Sequence, residues 1–86
     1  MKVENMISSR GNSVPNQFII RSNDGIRFQS YDSTIVFIPR TGKTQLGCNW
    51  DYSRTTGKYR NSFLAETKRE TEAKLKSGEY ILNESL

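Results

Sequence analysis

Apolar residues in this 86-residue chain fall in short runs whose spacing shifts from two residues to about four. Residues 17–22 read as a strand with Phe18 and Ile20 on one face. Over residues 26–31, Ile26, Phe28 and Ser30 alternate against Arg27, Gln29 and Tyr31. Such alternation marks a strand with one buried and one solvated face. Asn23-Asp24-Gly25 between the two runs tolerates positive φ and predicts a tight turn. Residues 34–38 (Thr-Ile-Val-Phe-Ile) are apolar on both faces, so a central strand covered on both sides is expected. Pro39 ends it, because proline has no N–H to give to a ladder. Arg40-Thr41-Gly42-Lys43 makes a second turn, and residues 44–48 a short fourth strand.

The period then lengthens. Tyr52, Thr56, Tyr59 and Phe63 fall at i, i+4, i+7 and i+11, one face of a helix. Asp51 or Ser53 is placed to cap its start. Thr67-Lys68-Arg69-Glu70 has the form of a capping box, and Gly78 is placed to stop the helix it opens. Residues 79–83 read as a last strand at a sheet edge. Residues 1–16 are mostly polar, include Gly11, Asn12, Ser13, Pro15 and Asn16, and predict a flexible or loosely docked N-terminal arm. The expected fold is a single α+β domain over residues 17–86. It has an antiparallel three- to four-stranded β-meander, two helices within 51–77 and a short terminal strand.

Composition narrows this picture. Only 34% of residues are hydrophobic, and the mean hydropathy is −0.72. Nine aromatics, each able to bury roughly 150–250 Å², supply much of the core. The net charge is +4. Over residues 10–60 eight cations stand against three aspartates, whereas residues 61–86 hold four cations and five glutamates. A basic body suits an anionic partner or simply keeps the chain in solution, and it argues against an acidic DNA mimic. Cys48 is alone, so no internal disulfide forms and a reduced cytoplasmic setting is expected. No apolar run approaches 18 residues, so no membrane contact is expected.

The chain has no histidine, which removes the commonest general base and metal ligand. Asp24 and Asp32 are explained as turn formers and Asp51 as a cap. No catalytic activity, metal or cofactor is expected. Thr41-Gly42-Lys43-Thr44 resembles the end of a phosphate-binding loop, but Phe37 stands where the pattern needs its first glycine. The densest chemistry is Trp50–Phe63, where four aromatics interleave with Arg54, Lys58 and Arg60. Arg54, Lys58 and Asn61 share the helix face opposite the apolar stripe. On the sheet, Arg27 and Tyr31 share a face, with Arg21 expected near them. Trp50, Tyr52, Arg54, Lys58, Arg60, Arg21, Arg27, Tyr31, Arg40 and Lys43 are therefore the candidate partner-binding residues. Such a basic, aromatic surface suits a charged protein or a single-stranded nucleic acid.

Four stretches carry a resemblance: Phe28-Gln29-Ser30-Tyr31-Asp32-Ser33, Trp50-Asp51-Tyr52-Ser53-Arg54-Thr55-Thr56-Gly57-Lys58-Tyr59-Arg60-Asn61, Phe63-Leu64 and Lys76-Ser77-Gly78-Glu79-Tyr80. With them, residues 8–82 resemble a family of small proteins carried by phages and other mobile elements of Gram-positive bacteria. The family brings no activity with it. Small proteins of such elements often bind host machinery stoichiometrically, including defence nucleases, replication factors and transcription factors. The resemblance thus implies a host protein or nucleoprotein as partner, with an anti-CRISPR-like inhibitor as one form of the role. Direct DNA or RNA binding is the alternative.

Overall fold

The computed structural model describes all 86 residues, Met1–Leu86. Five strands come first: β1 (Lys2–Ile7), β2 (Ser13–Ser22), β3 (Gly25–Ser30), β4 (Ser33–Pro39) and β5 (Gln45–Leu46). Two helices, α1 (Arg54–Leu64) and α2 (Lys68–Ser77), lead to β6 (Ile81–Leu82). All strands form one sheet in sequence order, antiparallel from β1 to β5 and parallel between β5 and β6. The fold is α+β, as the pattern predicts.

The first sixteen residues do not form the expected arm. They carry β1 and the start of β2, paired from Lys2↔Arg21 to Ile7↔Ser13. Residues 8–12, with Gly11 and Asn12, form the hairpin turn between them. Ser8 N–H donates to the Asn12 carbonyl (2.8 Å), and Gly11 takes φ 81°. The register shifts between Asn5 and Ile7. That irregularity breaks the period-two signal and leaves Met6 as the one buried residue of β1.

The Asn23-Asp24 turn joins Ser22 to Gly25. A Cβ on Gly25 would lie 2.2 Å from the Ile38 carbonyl oxygen, so β4 can approach only a glycine here. β4 departs from the expected strand covered on both faces. Its register slips opposite Phe28 and Gln29, a bulge that turns both Ile35 (1% exposed) and Val36 (0%) into the core. Phe37 stays on the other face, where the Arg27 guanidinium covers its ring at 4.0 Å. An apolar run on a bulged strand thus reads as two-sided burial although the core lies on one side.

That core is Met6, Phe28, Ile35, Val36, Leu46, Tyr59 and Tyr80, with Trp50, Phe63, Leu64 and Leu75 packed against it. The Phe63 ring stacks on Phe28 with centroids 5.7 Å apart, which seats α1 on the sheet. Thr67 and Glu70 form the predicted capping box, and Gly78 ends α2 at φ 83°. Lys43 reaches across and donates to the Gly78 carbonyl at 2.8 Å. Cationic donors suit the carbonyl end of a helix.

Candidate functional site

The start of α1 organises the surface. Ser53, in extended conformation, is the N-cap, and its Oγ accepts from the Thr56 N–H at 3.2 Å. Thr56 Oγ1 lies 3.2 Å from Ser53 Oγ and 2.9 Å from Ser30 Oγ. This hydroxyl chain ties the helix cap to the end of β3. Thr56 and Ser30 are buried, so the mutual hydrogen bonds offset their loss of water.

A cleft of about 430 Å³ opens above Ser30 and Thr56. Tyr31, Asp32, Ser33, Ile35, Asn49 and Tyr52 complete its lining. Asn49 Nδ2 donates to Ser33 Oγ at 3.0 Å, which joins two of its walls. Tyr52 is 76% exposed and Tyr31 52% exposed. Tyr31 and Asp32 form the two-residue turn between Ser30 and Ser33. Tyr31 takes φ 55° there, a left-handed conformation that costs a side-chain-bearing residue on the order of 1–2 kcal/mol. Its N–H donates to the Asn16 carbonyl at 2.7 Å, and Asn16 is itself left-handed at φ 64°. A tyrosine is thus held where glycine would be easier, with its ring exposed at the mouth of a cleft.

The remaining candidates lie outside this cleft. Arg60 is buried, 1% exposed. Its Nη1 donates to the Trp50 carbonyl at 2.7 Å and lies 3.4 Å from Asp51, and its Nη2 donates to Asn61 Oδ1 at 2.9 Å. The guanidinium sits 5.1 Å from the Trp50 ring centroid. Arg60 therefore braces the loop through Trp50 instead of standing free in solvent. Asp51 is not the cap. It pairs with Lys68 at 2.6 Å, and the Lys68 hydrogen bond, helped by Arg60, holds its carboxyl below the usual range. Arg27 forks onto Asp24 at 3.0 and 2.8 Å, a pairing that lowers the Asp24 pKa.

Arg21 is not beside Arg27. It aligns with Ile26, on the opposite face of the sheet, and pairs with Glu4 at 3.4 Å. Arg40 donates a long bond to the Asn23 carbonyl at 3.4 Å, and Lys43 is engaged at Gly78. Only Arg54 and Lys58, both exposed, carry no ion pair on α1. Cys48 is exposed. No three Asp, Glu or Cys side chains gather where a metal ion could sit, and no helix is long and apolar enough to cross a membrane.

A second cluster had no sequence signal beyond the capping box. Glu66 Oε1 accepts from the Tyr80 hydroxyl at 2.5 Å and from Thr71 Oγ1 at 3.1 Å. Lys74 Nζ lies 2.7 Å from Oε2, at ion-pair distance though not aligned as a hydrogen bond. Burial alone would raise the Glu66 pKa, but the Lys74, Tyr80 and Thr71 contacts overcome it and lower it. Burial first, then the bond to Glu66, pushes Tyr80 up to about 12.

Fold and surface together define a small α+β domain built on one sheet, with a tyrosine-flanked cleft at the meeting of the β3–β4 turn and α1. The chain belongs to a family of unknown function, DUF8033, whose model matches residues 1–80. No curated protein and no solved structure matches it.

Proposed function

We propose that the protein is a non-enzymatic binding module that engages a host protein or nucleoprotein stoichiometrically, with the Tyr31–Tyr52 cleft as its contact point. One observation carries the reading: two exposed tyrosines flank a cleft whose only charged lining residue is Asp32. Tyrosine rings give large contact area with little rotamer entropy to lose. The Asp32 carboxylate in the same lining attracts an arginine or lysine side chain from a partner and repels a phosphate. The cleft therefore favours a protein surface over a nucleic-acid backbone. The left-handed Tyr31 fits the same reading, because strained residues persist where position matters more than stability.

Capture from a Gram-positive bacterial lysate, with and without nuclease, tests this with the double variant Tyr31→Gly/Tyr52→Ala. Neither change removes a buried side chain, so melting should stay at or above wild type. We expect a partner that survives nuclease and is lost from the variant. Truncating an interface tyrosine that acts as a hot spot costs about 2 kcal/mol or more, roughly thirtyfold in affinity. Loss of every partner on nuclease treatment would move the function to direct nucleic-acid binding. Equal capture by variant and wild type would remove the cleft from the function.

A further inference from the structure

The first turn of α1 has a second concavity on its other side, independent of the tyrosine cleft. It is a wide hollow of about 790 Å³ with no hydrophobic residue in its lining. Arg54, Lys58, Arg60 and Lys68 supply four cations there, against Asp51 alone. We propose that this hollow binds a phosphate group.

Three features point to that chemistry. First, α1 has no acidic residue in its first turn and opens on Arg54, with Lys58 one turn on. Cations at a helix N-terminus oppose the macrodipole, and an anion seated there relieves both the dipole and the mutual repulsion. Second, the buried Arg60 lines the hollow, and its Nε has no hydrogen-bond partner in the chain. Its guanidinium is a fixed charge whose field little water screens. Third, Gly57 leaves the wall without a side chain. A Cβ at that position would stand 3.6 Å from Arg60 Nη2, in contact with the guanidinium. Asp51 is already committed to Lys68 and Arg60. Arg54 and Lys58 therefore make the direct contacts, and the charge behind them holds the anion. The chemistry is shared by a free phosphate, a phosphorylated small molecule and a nucleic-acid backbone.

Amide NMR titrations with inorganic phosphate, against chloride at matched ionic strength, test the site. Shifts should centre on residues 54–58 and 68 with phosphate and be absent with chloride. Arg54→Ala/Lys58→Ala should weaken phosphate roughly tenfold or more, as expected for lost charge-assisted bonds. Both residues are exposed, so far-UV spectra should not change. Tyr31→Gly/Tyr52→Ala should bind phosphate as wild type does. A parallel titration with a fifteen-residue oligothymidylate identifies the source. Tighter binding, with affinity falling about 0.7 log units per log unit of salt for each phosphate contact, assigns a single-stranded backbone. Binding of inorganic phosphate alone assigns a small phosphorylated ligand. Identical shifts with phosphate and chloride, or undiminished phosphate binding in the double cation variant, would overturn the proposal.

Discussion

Arg54, Lys58 and Arg60 stand within seven residues, yet they do different work. Arg60 is enclosed and hydrogen-bonded to the Trp50 carbonyl and Asn61, while the other two face solvent. Arg60→Ala should destabilise the domain by about 1–3 kcal/mol, because a fully buried side chain is removed and partly buried acceptors lose their donor. Arg60→Lys should not restore it, since an ammonium cannot reach two acceptors with a planar fork. Urea denaturation of the two variants beside Arg54→Ala checks this, and Arg54→Ala should stay within about 0.5 kcal/mol of wild type. Glu66 offers a pH test. Its folded pKa lies below the ordinary 4.5, so the native state binds fewer protons than the unfolded chain. Its stabilising contribution is therefore complete above the unfolded value and lost as the pH falls through the folded one. Glu66→Gln should flatten the acid limb of a stability–pH curve below about pH 5. Tyr80 acts at the other end. Its contribution is complete below pH 10 and lost as the pH rises toward about 12.

Elements were legible where their chemistry is local. The Thr67–Glu70 box, the Gly78 stop, the Ser53 cap and the Asn23-Asp24 turn are each written in a few adjacent residues. The Tyr59 and Phe63 stripe also holds, with Tyr59 buried and Phe63 on Phe28. Tyr52 leaves that stripe, because the helix begins two residues later and its ring points to solvent. What sequence could not give depends on register. A bulge turns Ile35 and Val36 inward together, and another hides β1 behind an irregular pattern. Arg27 and Arg21 look alike in the chain, but alternation sends them to opposite faces. Which cations are neutralised is likewise set by long-range partners, such as Glu4 for Arg21 and Gly78 for Lys43. Phe63→Ala should cost about 3 kcal/mol, the lower end for a buried aromatic since this ring is only partly enclosed. A sharp fall in melting temperature without loss of the sheet signal in far-UV spectra is the expected outcome. Gly47→Ala should be more damaging than its size suggests. The new Cβ would lie 2.2 Å from the Thr34 carbonyl oxygen, so β4 or β5 must move.

Across the whole molecule, the parallel pairing of β5 with β6 divides the chain in two. β1 to β4 form a meander of local hairpins. Everything after β5 must fold back across two helices before Ile81 N–H reaches the Thr44 carbonyl and Asn83 N–H the Leu46 carbonyl. Local contacts close early, and long crossovers close late at greater entropic cost. The helices and β6 should therefore open as one unit without the meander unfolding. Native-state hydrogen exchange should find the slowest amides in β2, β3 and β4, and a common, lower opening energy across α1, α2 and β6. A single energy for both groups would contradict this. The two concavities stand differently to that seam. The tyrosine cleft draws Tyr31, Asp32 and Ser33 from the meander and Tyr52 and Thr56 from the later half, so any occupant of it would strap the seam. The cationic hollow draws only on residues 51–68 and straps nothing. A partner in the cleft should slow exchange throughout the helical unit, whereas phosphate in the hollow should slow it only around the start of α1.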